Sequence, residues 1–381
     1  MKNIKGINVK DKKVLVRVDY NCPIENNIVV DDERIKASLE TINYLIENGA
    51  KVILLSHLKR IKKLEDKERY SLEPTASCLS KYIKTNIYFI PKTRGVEVEN
   101  AINEMKSGEI VIIENTRFED LENNLESNND EELSKYWASL ADIYVLDAFA
   151  SSHRNHASTY GITKYIPSYA GLLISKEKEL LDKVLQTPKK TIIMGGAKVK
   201  DKIGVIDNLL KDCDKLLIGG AMAFTFLKAK GYDINNSLYE KEYLDYAKEL
   251  LNKYESKLVL PVDFITENGI KDIELFTKTD IGYDIGEKTI ELFINNLKNN
   301  ELVLWNGPLG KYEELDYEFG TRKVMNYLYK NNLNNTVLAG GDILAASKKF
   351  EYTFPNISTG GGATLEYLSG KEFDTFNALN G

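Results

Sequence analysis

Val14-Leu15-Val16 leads into Arg17-Val18-Asp19-Tyr20-Asn21, a short apolar run that ends in charged and polar residues. Asp31-Asp32 then offers an N-cap for a helix with Ile35, Leu39, Ile42 and Ile46 at helical spacing, closed by Gly49. The same alternation continues outward. Val52-Ile53-Leu54-Leu55, Ile110-Val111-Ile112-Ile113 and Ile143-Tyr144-Val145-Leu146 are further apolar runs, each followed by polar residues. Continuous apolar strands that alternate with helices specify a parallel sheet covered on both faces.

The rhythm restarts after residue 175. Residues 176–186 read as a helix, followed by Thr187-Pro188, and strands are expected at 191–194, 215–218, 257–260, 302–305 and 336–339. The spacing therefore predicts an α/β chain of two doubly wound parallel-sheet domains joined near 171–190. A chain of 381 residues is long enough for two such domains.

Composition narrows the function. Hydrophobic residues are 43% and charged residues 28%, a globular balance that argues against disorder and fibre. No apolar run approaches the ~18 residues of a membrane span, and Met1 to Lys13 lacks the apolar core of a signal peptide. The net charge of −6 disfavours non-specific nucleic-acid binding. Cys22, Cys78 and Cys213 are scattered, so neither a disulfide framework nor a cysteine zinc site is expected, and a reducing, cytoplasmic setting fits.

Ligands of open α/β sheets bind beyond the carboxyl ends of the strands. In the first half these exits read Asp19-Tyr20-Asn21, Ser56-His57-Leu58-Lys59-Arg60, Glu114-Asn115-Thr116-Arg117, and Asp147 on to His153-Arg154-Asn155-His156, with Arg34 at the first helix. Only eight of the 51 basic residues are arginine, so arginines at nearly every exit point to forked recognition of phosphate or carboxylate. The second half exits in glycines: Gly195-Gly196-Ala197-Lys198, Gly219-Gly220-Ala221, Asn306-Gly307-Pro308-Leu309-Gly310, Gly340-Gly341-Asp342, and later Gly360-Gly361-Gly362. Glycines at strand-to-helix junctions let backbone N–H groups approach phosphates. Lys198 and Lys202, four apart at a helix start, are expected to share a face that an anion would offset. Neither GxxxxGK[ST] nor GxGxxG is present. An arginine clamp in one half and a phosphate cradle in the other is the layout of a two-substrate phosphoryl transferase that closes across a hinged cleft.

These residues resemble the phosphoglycerate kinase family over nearly the whole chain. Arg17-Val18-Asp19-Tyr20-Asn21-Cys22-Pro23 is similar to its RVDFNVP, residues 56–60 to SHLGR, 114–118 to ENLRF and 147–158 to DAFGTAHRAHAS. Residues 195–202 are similar to GGAKVxDK, Trp305-Asn306-Gly307-Pro308-Leu309-Gly310 to WNGPxG, and 358–363 read STGGGA. The resemblance implies two Rossmann-like domains: 1–170 binding phosphoglycerate, a 171–190 hinge helix, and 190–364 binding nucleotide, with a tail from about 365 to 381 packed back on the first. It implies glycolytic, Mg2+-dependent transfer from 1,3-bisphosphoglycerate to ADP, giving 3-phosphoglycerate and ATP, by a monomer. Asp19, Asn21, Arg34, His57, Arg60, Arg117 and Arg154 would hold the phosphoglycerate. Lys202, Gly282, Glu313, Gly340, Gly341, Asp342 and Ile343 would hold the nucleotide, with Asp342 addressing the metal. Arg34, Lys198 and Lys202 would stabilise the transferring phosphoryl.

The chain departs from the family pattern at several positions. Lys59 replaces a glycine, Ala221 a glycine, and Ile343 a threonine whose hydroxyl faces nucleotide phosphate. Two rival readings follow: a low-activity paralogue acting as a nucleotide-binding regulatory module, and an anion-binding protein without chemistry. Retention of Arg34, Lys198, Lys202 and Asp342 favours the active enzyme.

Overall fold

The apolar runs become strands because a parallel sheet screened on both faces leaves no room for polar side chains along them. The computed structural model describes residues 1–379. The chain divides into two compact units, one of residues 1–179 together with the segment from Glu372 onward, the other Leu180–Lys371.

The first unit holds β1 (Lys13–Val18), β2 (Lys51–Leu55), β3 (Ile87–Ile90), β4 (Ile110–Ile113), β5 (Ile143–Asp147) and β6 (Ser168–Ala170). They stack in the order β3-β4-β2-β1-β5-β6, every neighbouring pair parallel. In register, Val14 lies opposite Val52 on one side and Ile143 on the other. From β1 the chain builds outward through β2 and then returns to the opposite side at β5. The topological switch therefore falls between β1 and β5, and the strand exits there carry Asp19 and Arg154. Val14, Leu15, Val16 and Val18 are fully buried, each worth about 1.5–3 kcal/mol.

The first helix, α1 (Glu33–Glu47), buries Ile35, Ile42 and Leu45. Its first turn is capped by Asp31, whose Oδ1 accepts the Glu33 N–H at 3.1 Å, while Asp32 pairs instead with Lys36 and Tyr82. Gly49 ends it at φ +76°, a left-handed conformation that glycine adopts without strain. The helix α2 (Leu172–Gln186) starts four residues before the periodicity predicts. Asp147 and Thr41 cause this: Leu173 N–H and Ile174 N–H donate to Asp147 Oδ1 at 3.0 and 3.3 Å, and Leu172 N–H donates to Thr41 Oγ1 at 2.9 Å. The segment from Glu372 belongs to the first unit. Phe373 and Phe376 lie 6.3 and 5.8 Å from the Phe149 ring, and Thr375 Oγ1 donates to Ser152 O at 2.6 Å.

The second unit holds β7 (Lys190–Met194), β8 (Lys215–Ile218), β9 (Leu258–Val259), β10 (Leu302–Asn306), β11 (Thr336–Ala339) and β12 (Asn356–Ser358). The order is β9-β8-β7-β10-β11-β12, all parallel, which is the Rossmann order with its switch between β7 and β10. A small antiparallel sheet, Asp263–Thr266, Gly269–Asp272 and Asp284–Ile285, is an addition that alternating patterns do not reveal. It rests on its own aromatic core, with Phe224 and Phe264 rings 4.5 Å apart. Both units are thus the doubly wound sheets the sequence predicts. Among the described residues no helix is long and apolar enough to cross a membrane.

Candidate active site

The exits of the first sheet are tied to each other by side-chain amides. Asn21 Oδ1 accepts the Lys59 N–H at 3.0 Å, linking the exits of β1 and β2. Asn115 Nδ2 donates to Leu58 O at 2.8 Å and to Tyr70 O at 2.9 Å, and its Oδ1 accepts from Leu58 N–H and Arg117 N–H, linking β2 to β4. Lys59 itself stands at φ +56°, which explains why glycine suits this place.

On this frame Arg60, Arg117 and Arg154 line one cavity of about 430 Å³, with Lys62, His156 and Asp120. Arg117 is itself buried: Nη1 donates to Asp120 Oδ2 at 2.7 Å and to Ser127 Oγ, while Nε is buried without a partner. Burial, then the fields of Arg117 and Arg60, lower the pKa of Arg154, and Asp19 partly opposes them. His156 is pushed down to about 3 by burial and by Arg117, Arg17 and Arg154. His57, beside Arg17, is held well below the ordinary imidazole range by burial and by the same arginines. Both imidazoles are therefore neutral at neutral pH, and the arginines carry the positive charge. Asp19 is ion-paired with Arg34, and its Oδ1 accepts the Asn21 N–H at 3.2 Å. Arg60, Arg117 and Arg154 thus converge directly. His57 feels the fields of Arg117 and Arg154, and Asp19, Asn21 and Arg34 form a linked group at the adjoining exit of β1.

At the switch of the second sheet, backbone packs on backbone. A Cβ on Gly195 would fall 1.9 Å from Pro308 O, and one on Gly307 would fall 2.5 Å from Gly195 O. Gly196 N–H donates to Pro308 O at 2.8 Å. The Lys202 side chain runs into this junction, 8% exposed, and Nζ donates to Gly195 O at 2.5 Å and Asn306 O at 3.1 Å. Burial lowers its pKa to about 8, with Asp342 and Asp201 opposing.

Lys198 and Lys202 do not share a helix face, contrary to their spacing. The Glu240 carboxylate accepts N–H groups of Val199 and Lys200, so the chain turns there. A 3-10 turn at Lys200–Lys202 and the helix Ile203–Asp212 follow, leaving Lys198 exposed outside them. The helix Gly341–Lys349 begins after Gly340 at φ +105°, and a Cβ on Gly341 would meet nothing within 4 Å, so its N-terminus borders open space. Asp342 is exposed in its first turn. Ile343 corrects an expectation. Its side chain is fully buried with Ile193, Trp305 and Leu338, so any phosphate contact from this residue comes from its backbone N–H.

Gly282 serves the small sheet. A Cβ there would fall 2.3 Å from Phe224 Cζ, and its N–H donates to Ser237 Oγ at 3.1 Å. Glu313 is exposed after β10, its carbonyl accepting from Lys349 Nζ at 3.3 Å. Neither residue is hydrogen-bonded to the Lys202 junction. Among the described residues no three His, Cys, Asp or Glu side chains are grouped to hold a metal. A cation at this junction would therefore have to bring most of its ligands with it.

The sequence reading of the site missed Arg17, Glu126 and Ser158. The signal for Arg17 was legible, as a charge between Val16 and Val18 in a strand that is apolar from Val14 to Val16, fully buried in the structure. Glu126 carries no such signal, because it lies in a polar loop.

Two doubly wound sheets, one exiting in arginines and one in glycines around a buried lysine, define a small-molecule phosphotransferase. A family model described as phosphoglycerate kinase matches residues 4–371. A phosphoglycerate kinase of Enterococcus faecalis is 47% identical over 392 residues, spanning 100% of this chain and 99% of the relative. One of Fusobacterium nucleatum is 46% identical over 394 residues, with the same coverage. The solved phosphoglycerate kinase from Coxiella burnetii superposes with a TM-score of 0.87 at 36% identity, covering 99% of this chain and 98% of that one. The enzyme from Pyrococcus horikoshii OT3 superposes with a TM-score of 0.86 at 32% identity, covering 100% of this chain and 98% of that one. The chain belongs to the phosphoglycerate kinase family.

Proposed function

We propose that the chain catalyses reversible, Mg2+-dependent phosphoryl transfer from 1,3-bisphosphoglycerate to ADP, giving 3-phosphoglycerate and ATP, in cytoplasmic glycolysis and as a monomer. The observation that carries the reading is the cavity where Arg60, Arg117 and Arg154 converge beside His156. Such a site suits a dense anion.

Phosphoglycerate would lie among Asp19, Asn21, Arg34, His57, Arg60, Arg117 and Arg154. Nucleotide would lie along Lys202, Gly282, Glu313 and the backbone of residues 340–343, with magnesium on its phosphates near Asp342. A diphosphate oxygen attacks phosphorus and the acyl carboxylate leaves. Both are anionic without help, so no general base is needed. Positioning and charge neutralisation by Arg34, Lys198 and Lys202 carry the rate.

Acceptor and donor assigned to separate units must come within ~3–3.5 Å to react. We expect the units to approach when both ligands are bound, with α2, which crosses the division of the chain, as the hinge. Formation of ATP from 1,3-bisphosphoglycerate and Mg·ADP, followed by a coupled assay, tests the activity. No ATP above the uncatalysed rate would refute it. Small-angle scattering tests the approach: the radius of gyration should fall most with both ligands, and equal values in all states would refute it.

A further inference from the structure

Beneath the arginine cavity runs a buried line of donors and acceptors that the transfer itself does not consume. Glu126 is fully buried, and its Oε2 accepts the Ser158 N–H at 2.9 Å. Ser158 Oγ donates to Glu126 Oε1 at 2.5 Å. Having given its one proton, that hydroxyl accepts from Arg17 Nε at 2.8 Å. Arg17 Nη1 donates to Val18 O at 2.5 Å, and Nη2 lies 3.1 Å from His57 Nδ1.

The direction of the bond at the imidazole is fixed. A guanidinium has donors only and does not deprotonate in proteins. His57 Nδ1 must therefore accept, and a neutral ring then keeps its proton on Nε2. An imidazolium would set N–H against N–H at 3.1 Å. It would also stand in the fields of Arg17, Arg117 and Arg154, each of which disfavours it. Glu126 supplies the buried counter-charge without which Arg17 could not sit at this depth.

We propose that Arg17 is a positioning residue that locks His57 as the neutral Nε2–H tautomer, with Ser158 and Glu126 holding the guanidinium in place. His57 then presents a phosphoglycerate oxygen with a fixed donor that cannot withdraw a proton from the reaction. This use of the donor rests on the function proposed above; the tautomer itself does not.

The test uses the full chain labelled with 15N at histidine. With three histidines the long-range 1H–15N spectrum is simple, and His57→Gln assigns the ring in question. At neutral pH the His57 Nδ1 should resonate as unprotonated and Nε2 as protonated. Arg17→Lys, which keeps a charge but loses the fork, should give mixed tautomers and raise KM for 3-phosphoglycerate about tenfold, with kcat falling by less. A wild-type ring protonated on Nδ1, a charged ring, an Arg17→Lys spectrum like the wild type, or a KM within about twofold of it would each overturn the proposal. Should Arg17→Lys fail to fold, the wild-type spectrum and that of Ser158→Ala decide. A chain with the locked tautomer but no activity on 3-phosphoglycerate would sink the proposed function and leave the tautomer assignment standing.

Discussion

The carboxyl of Asp147 occupies the space a side chain at position 171 would need: a Cβ built on Gly171 falls 2.0 Å from Asp147 Oδ1. The close approach lets Oδ1 accept the first N–H groups of α2, while Oδ2 is buried without a partner. Burial, opposed by those bonds and by Thr41, raises the Asp147 pKa to about 7. The folded chain therefore holds a proton that the unfolded chain releases near pH ~4. The resulting stabilisation is fully present below that pH and is lost as pH rises to about 7. Asp147→Asn should remove this dependence. Urea unfolding between about pH 5 and 8 should show the variant gaining on the wild type as pH rises. A constant difference would refute the assignment.

Arg34 and Arg117 should fail differently. Arg117 already holds Asp120 with one nitrogen and keeps Nε free in the buried wall of the cavity. Arg117→Ala should raise KM for 3-phosphoglycerate roughly 30–100-fold, the equivalent of about 2–3 kcal/mol for a charged hydrogen bond. Arg34→Ala should lower kcat roughly 10²–10³-fold, the scale of losing a donor to charge that develops in transfer. Steady-state kinetics distinguish them, and equal effects on the two parameters would merge their roles.

Lys202 is poised to take up a proton. Its folded pKa of about 8 lies below the 10.5 of a free lysine. The penalty for a buried ammonium is thus full below about pH 8 and is relieved as pH rises towards about 10.5, so stability climbs through that window. Bound phosphates would raise the pKa again. Titration calorimetry of Mg·ATP in buffers of different ionisation enthalpy should show proton uptake between about pH 8 and 9, absent in Lys202→Met. Heats independent of buffer would contradict it.

Ile343→Thr restores the family residue in the wrong environment. The side chain is enclosed by the apolar core of the second unit, where a hydroxyl needs a partner. The variant should lose about 1–3 kcal/mol of stability and gain no nucleotide affinity. Tighter Mg·ADP binding would show that the side chain reaches the phosphates after all.

Lys59→Gly tests a second departure. A lysine at φ +56° carries left-handed strain of about 1–2 kcal/mol, partly offset because glycine gains freedom in the unfolded chain. A net gain of up to about 1 kcal/mol in denaturant unfolding is expected, and a loss would mean the lysine side chain is itself needed.

The two sheets were legible because their strands are continuous apolar runs, and the arginine and glycine exits follow from strand ends alone. The start of α2 was not legible, because its cap is Asp147, remote in sequence. The helix expected at Lys198 failed for the same reason, Glu240 having claimed its N–H groups. The small antiparallel sheet was missed because its strands are short and edged by polar residues. Arg17 was visible and misjudged: a charge inside an apolar strand was read as part of a motif, when its burial demanded a counter-charge such as Glu126.

The segment from Glu372 has a consequence for how the chain is made. Phe373 and Phe376 complete the wall around Phe149, and Asn155 Nδ2 donates to Asp374 Oδ2 at 2.6 Å, beside the loop that carries Arg154 and His156. Synthesis runs from the N-terminus, so residues 1–179 emerge from the ribosome long before the strip that finishes them. The second unit, contiguous in sequence, can close while translation is still under way; the first unit waits, with an aromatic face uncovered, until some 190 further residues have been added. The half that begins first is completed last, and during that interval its open seam is where chaperones or aggregation would act.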